Sequence, residues 1–303
     1  MSHRTASAII GIFVFLTLGQ VTTLAVDDPS YALSPWPYGA IAWVGGLPDD
    51  HQTFSRTLVQ AVDDVFALWE LPPPSPMQGW EDPASNESAW KTGQATGVIP
   101  QVLKKDPATN QLWRLNPLEW YSIESYSMLY IAFSSRILLA QAIGSTTIGG
   151  VWIPGSSAIA GSAVWYQSIT GVPMSITAPA HDGMLTMWHE LAHWMTYLVC
   201  VRDTVPMYRL PLLIIEGMAE YTTTTFVGLS GRKQYAADWA RDNSLSVELD
   251  LSNTYRIGTS VVTYLVETQG ATGFLATLPK WAEDPAGEIS LLEAGWREWL
   301  GLK

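Results

Sequence analysis

The chain has 303 residues, of which 48% are hydrophobic, 11% aromatic and 15% charged, with 15 Trp; that much apolar surface offsets the entropy of ordering and excludes a disordered protein. A formal charge of -12 without any basic run excludes a phosphate-backbone partner, so no nucleic acid is expected to bind. The single cysteine, Cys200, cannot form an internal disulfide and reads as a small buried hydrophobe, which leaves packing or a metal to supply stability.

Residues 1–25 read as an export signal. Arg4 precedes an apolar core from Ala8 to Leu18, and Thr23, Leu24 and Ala25 stand at the usual cleavage positions. Cleavage predicts a secreted or extracytoplasmic protein, while an uncleaved segment would tether it to a membrane. After DPSYALSPWPYG, the run AIAWVGG predicts a short strand ending at a Gly pair. Asp49 and Asp50 are placed to cap a helix in which Phe54, Leu58, Ala61, Val62, Val65, Phe66 and Trp69 recur at three- and four-residue steps. The run ELPPPSPMQGWEDPASNESAW must be loop, because its prolines lack donors; its Asn86-Glu87-Ser88 is a glycosylation sequon only in a host that glycosylates.

Leu118 to Ile143 predicts one long buried helix ending near Gly144, and GVWIP, SAVWYQSI and VPMSITAP predict short strands punctuated by Gly, Ser and Pro. His181 reads as a loop residue and Asp182 as the N-cap of a helix, and from Met184 onward the pattern is mainly helical. Strands first and helices afterward predict an α+β architecture, a small mixed or antiparallel sheet lobe packed against a mainly helical C-terminal lobe. Residues 26–150 form an α/β portion of unassigned role and 151–303 carry the motifs below, the two packing as one compact unit.

Those motifs begin with MWHELAHWM, Met187 to Met195. Four residues of helix advance a side chain by about 400°, so His189 and His193 project from one face. Two imidazoles so placed can hold one Zn²⁺ per chain, and Glu190 can reach a water on it. The alternative is a Trp-rich buried helix whose histidines only satisfy hydrogen bonds. A catalytic zinc takes three protein ligands plus water, and LPLLIIEGMAEYTTTTF supplies a third in Glu216, which interrupts an apolar run where an unpaired carboxylate is costly. The alternative for Glu216 is an ion pair with Arg202 or Arg209. Glu220, one turn further along the same face, is placed to accept the outer ring N–H of a ligating histidine, His189 by preference, or else is an exposed helix charge.

HELAH followed by EGMAEY resembles the gluzincin metallopeptidases, the group of thermolysin and the aminopeptidase N family, whose H-E-x-x-H helix is completed by a glutamate from the next helix. IIEGMAEY is similar to the N-E-G-x-A-E/S-Y stretch of the aminopeptidase branch and of the peptidase MA-like families, with Ile215 in place of Asn. TYRIGTSVVTYLVETQG resembles the Y-x-K-G segment whose tyrosine hydroxyl steadies an oxyanion; the resemblance carries that role to Tyr255, beside Gly258, with Ile257 where Lys is usual. LLEAGWREWL resembles the closing helix of peptidase MA-like domains. The resemblance spans Gly183 to Leu300 and implies a zincin-like fold with a peptide or protein substrate.

Two departures bear on activity. The G-x-M-E-N strand that binds a substrate's free amine in aminopeptidases has no counterpart between Ile143 and Asp182, and no histidine follows His193 to act as thermolysin's oxyanion donor does. The expected activity is hydrolysis of peptide bonds by zinc-activated water, with Glu190 as general base and VPMSITAP, by analogy, as a cleft edge. Two alternatives share the site: a zincin-like surface binding or scaffold domain that holds metal without turnover, and an amidase acting on a non-protein amide such as peptidoglycan. The oligomeric state is left open by the sequence.

Overall fold

The computed structural model describes residues 31–44, 51–75, 128–133, 150–153, 158–162, 181–227, 231–246 and 249–302. Tyr31–Trp36 (β1) and Gly39–Val44 (β2) form an antiparallel hairpin turning at Pro37 and Tyr38. β1 is a strand that the sequence did not suggest. Its Pro35 removes a ladder donor, and β1 lies at a sheet edge, where that loss is tolerated. His51–Leu68 (α1) follows, and its predicted stripe, continued by Trp69, is buried in full.

Met128–Phe133 (β3) lies parallel to β2 on one side and to Ala158–Ser162 (β5) on the other, with Gly150–Ile153 (β4) antiparallel to β5, giving the order β1-β2-β3-β5-β4. The long helix expected over Leu118 to Ile143 is corrected at its centre, since MLYIAF is a strand. A six-residue apolar run suits a buried helix turn and an interior strand equally, and here two parallel neighbours take up its backbone groups.

Beyond residue 181 the described chain is helical: His181–Arg202 (α2), Leu212–Val227 (α3), Arg232–Ala240 (α4), Leu251–Gln269 (α5), Ala271–Leu275 (α6), Leu278–Glu283 (α7) and Pro285–Trp299 (α8), with a 3₁₀ turn at Met207–Arg209. His181 is the first residue of α2, so it is not a loop residue, and Asp182 lies inside the first turn instead of capping it. At the other end, Thr204 adopts φ 55°, and the Val205 and Thr204 amides donate to the Cys200 and Val201 carbonyls, closing α2 with a Schellman motif.

The α+β expectation, a sheet lobe set against a separate helical lobe, is overturned. The described body is predominantly helical. One hydrophobic core runs from Trp36 on β1 through Phe54 and Val62 on α1, Leu191 and Trp194 on α2 and Ile214 on α3 to Trp296 on α8. The strands are four to six residues long, and α1 intervenes between β2 and β3, so the two kinds of element are interleaved. Gly, Ser and Pro mark where strands stop, but they do not reveal what covers the strand faces. Here helices do, with α2 packed against α1, α3, β4 and β5.

Helices α3 and α5 approach most closely where Gly217 meets Gly258. A Cβ on Gly258 would stand 2.6 Å from the Leu213 carbonyl oxygen, and one on Gly217 would stand 2.6 Å from the Gly258 oxygen. Only glycine lets the two backbones touch there. Trp69 donates from Nε1 to Thr222 Oγ1 at 2.9 Å, and Trp296 from Nε1 to Ser260 Oγ at 3.2 Å, tying α1 to α3 and α8 to α5. Asp49 and Asp50, the sequon at 86–88, SAVWYQSI beyond Ser162, the run VPMSITAP and residues 1–25 lie outside the described residues. No described helix is long and apolar enough to cross a membrane.

Candidate metal centre

Helix α2 presents His189 and His193 toward α3, because its remaining surface is spent on the core: Met187, Leu191, Ala192, Trp194 and Met195 are all buried. The two rings stand edge to face, centroids 4.7 Å apart, with their Nε2 atoms 3.1 Å from each other. From α3, Glu216 brings Oε2 to 3.2 Å from His189 Nε2 and 3.5 Å from His193 Nε2. The three residues form a group able to hold a metal ion.

The geometry allows a direct test of that fit. A triangle with edges of 3.1, 3.2 and 3.5 Å has a circumradius of about 1.9 Å, so a point about 0.8 Å off its plane lies about 2.0–2.1 Å from all three atoms, within the range of imidazole and carboxylate ligation. Glu216 Oε2 is buried yet makes no well-directed hydrogen bond. It stands close to both nitrogens because all three atoms point at a shared position and not at each other. Two ring nitrogens and a carboxylate oxygen converging in this way repel unless a cation, either a proton or a metal, lies among them.

Ionisation equilibria of the cluster express the same demand. Burial alone would depress the His189 imidazolium, but the hydrogen bonds its two N–H groups would make to Glu216 and Glu220 once it is charged, and the charge of Glu190, outweigh it and push its pKa up to about 10. Burial pushes the Glu216 carboxyl up, and the charges of His193 and His189, with the hydrogen bonds those rings would donate once protonated, overcome this and hold it well below the usual carboxylate range. Neither alternative partner of Glu216 reaches it: Arg202 pairs with Asp203 at 2.7 Å, and Arg209 lies over the Tyr208 ring.

Glu220 sits one turn beyond Glu216, with Oε1 3.3 Å from His189 Nδ1, on the side of the ring away from the cluster. It is not an exposed helix charge, since only 17% of its side chain is accessible. Glu190 is buried, with 6% exposure. Its charge reaches Tyr130 of β3, whose phenol is pushed up, first by burial and then by that carboxylate. Tyr255 projects from α5 with its ring centroid 5.8 Å from that of His189. Burial, followed by the charges of Glu216, Glu190 and Glu220, raises its phenol, so the hydroxyl keeps its proton at neutral pH and can donate. Cys200 is buried and its thiol is pushed up to about 12, by burial and then by Asp203, which makes it inert as a nucleophile.

The structure therefore brings together all six residues singled out from the sequence, on α2, α3 and α5. Two neighbours were missed. Tyr130 stands sixty positions upstream in a run read as helix, and no local pattern joins it to Glu190. Arg232, at the start of α4, donates from Nη2 to Glu220 Oε2 at 2.8 Å; an arginine at a helix start gives no sequence signal of such a reach. No family model matches the chain, and no curated protein matches it either.

Proposed function

We propose that the chain is a zinc-dependent metallopeptidase of gluzincin type. The observation that carries this reading is the convergence of His189 Nε2, His193 Nε2 and Glu216 Oε2 on one point at ligand distance, with a buried carboxylate, Glu190, next to the first ligand in the chain. Imidazole ligands suit zinc, and three protein ligands with a position left for water or substrate distinguish catalytic zinc sites from closed structural ones. Zinc bound there supplies a Lewis acid that polarises a carbonyl and acidifies water.

The chain's own residues do the rest. Glu190 takes the proton from the attacking water and returns it to the departing amine. Tyr255, protonated at neutral pH, donates its hydroxyl hydrogen to the oxygen that gains negative charge as the carbonyl becomes tetrahedral. Glu220 fixes the His189 ring by accepting from Nδ1, which leaves Nε2 as the ligand atom. The substrate class proposed is a peptide or protein, and the export signal read from residues 1–25 supports a reaction outside the cytoplasm.

The test is to load the chain with one equivalent of zinc and incubate it with a panel of unfolded proteins and peptides, following new termini by mass spectrometry. Cleavage by wild type but not by E190Q, with zinc content equal in both, is the expected outcome. A chain that holds zinc and leaves every substrate intact would instead be a binding domain. Cleavage of peptidoglycan stem peptides alone would move the substrate to that polymer.

A further inference from the structure

A histidine that ligates through Nε2 is free to turn about its own Cβ–Cγ bond unless Nδ1 is also held. Glu220 supplies that hold with one oxygen, Oε1, at 3.3 Å. A carboxylate fastened at one oxygen can itself swing. Its second oxygen, Oε2, accepts from Arg232 Nη2 at 2.8 Å. Arg232 is the first residue of α4, directly after Gly231 at φ 94°, a left-handed conformation that suits glycine and sets the direction from which the arginine approaches.

Among the described arginine ion pairs, Arg297–Glu293 is comparably shielded, at 31% and 20%, but its atoms stand 3.7 Å apart, against 2.8 Å here. Side-chain exposures are 28% for Arg232 and 17% for Glu220, against 59% and 53% for Arg241, just past the end of α4, and Asp238 within it. Exposed pairs of the latter kind hold little in place. Arg232 also brings a positive charge to a group where Glu190, Glu216 and Glu220 surround two imidazoles. With a divalent ion bound and both histidines neutral, Arg232 balances the third carboxylate.

We infer that Arg232 is a positioning residue for the metal ligand His189, acting through Glu220: it clamps the far oxygen of Glu220 so that the near one stays on Nδ1. The inference deepens the zinc reading above and rests on it. Nothing in HELAH or EGMAEY points to this arginine.

The experiment measures zinc affinity by competition with a chromophoric chelator for wild type, R232Q, R232K, E220Q and R232Q/E220Q, with R241Q as the control just past the end of α4. Metal-free melts and the absorption bands of the cobalt-substituted forms are recorded alongside. The expected result is a 10- to 100-fold weaker zinc affinity for R232Q, a smaller loss for R232K, altered cobalt bands in R232Q, and no change for R241Q. The double variant should bind no more weakly than E220Q alone, because Arg232 works only through that carboxylate. A purely structural arginine would lower the melt, leave the cobalt bands alone and give additive losses with E220Q, and that result overturns the inference. Wild type binding zinc tightly with R232Q matching it within twofold overturns the inference and leaves the zinc reading intact. Failure of wild type to take up zinc overturns both.

Discussion

Replacing Gly258 with alanine tests the link between helix packing and the site. The new Cβ would stand 2.6 Å from the Leu213 carbonyl oxygen, 3.0 Å from Gly217 Cα and 3.1 Å from Gly217 N. These are backbone atoms, so no side chain can rotate away. Restoring a contact of about 3.4 Å to that oxygen requires α3 and α5 to part by about 0.8 Å, an overpacking that costs about 1–3 kcal/mol. For a chain of this size, that corresponds to a drop in Tm of roughly 2–10 °C. Tyr255 lies one turn before Gly258 on α5 and moves with it, whereas His189, His193 and Glu216 reside on α2 and α3. G258A is therefore expected to keep its zinc and lose turnover, by about 100-fold if the donor is misplaced by ~1 Å. Thermal melts, zinc content by mass spectrometry and peptide cleavage below the new Tm separate the effects. An unchanged Tm would refute the close approach of the helices. A lowered Tm with full turnover would refute the claim that this contact places Tyr255.

The other predictions concern the site itself. E190Q should keep zinc and lose hydrolysis by about 10²–10⁴-fold, measured as kcat at equal zinc content. Y255F should bind substrate with an unchanged KM while kcat falls by about 10²-fold or more, which is what loss of an oxyanion donor does; a fall in affinity alone would refute the role. G217A, whose Cβ would meet the Gly258 oxygen at 2.6 Å and Val262 Cγ2 at 2.9 Å, sits beside Glu216 and should weaken zinc binding as well as stability, in contrast to G258A. Because its carboxylate neighbours push the metal-free His189 imidazolium up to about 10, zinc should displace close to one proton from it near pH 7.5, and affinity should climb roughly tenfold per pH unit toward that value. Titration calorimetry in buffers of differing ionisation enthalpy reads the proton count, and a count of zero would refute the raised pKa.

The site was more legible in the sequence than the architecture around it, for physical reasons that individual residues make plain. The i, i+4 spacings of His189 with His193 and of Glu216 with Glu220 are properties of one helix each, so the chain order alone puts each pair on one face. Helix α1 was legible in the same way, because its apolar residues form a single stripe. MLYIAF was not. It is apolar at every position, and whether it coils or extends depends on β2 and β5, segments far from it in the chain. The separate sheet lobe failed for a related reason, since a common core from Trp36 to Trp296 is a property of packing that strand-end residues do not encode. Gly217 and Gly258 were visible as letters of a resemblance, while their physical role, mutual backbone contact, needed both helices in place. Arg232 depends on the left-handed turn at Gly231, which starts α4 within reach of Glu220 on α3.

The metal-free and metal-bound states of this cluster should be stable in different pH ranges. Without metal, a proton on His189 is the cation between Glu216 and the second imidazole. Because the folded pKa is raised from 6.5 to about 10, the stabilisation from that proton is fully present below 6.5 and is lost as pH rises through about 10. Glu216 acts in the opposite sense: its folded pKa is depressed, so its contribution is present above 4.5 and is lost as pH falls through the lower, folded value. The metal-free cluster is therefore held best between those limits, with the proton in place. A divalent ion replaces that proton by two positive charges and removes the upper limit, because the repelling lone pairs then have a partner that does not titrate away. Acid remains effective against both forms, since it protonates Glu216 and the histidines in competition with the metal. A cluster able to hold either a proton or a metal could exchange one cation for the other with α2, α3 and Tyr255 on α5 kept in place, which predicts a cooperative melt of the metal-free chain below the pH at which His189 loses its proton.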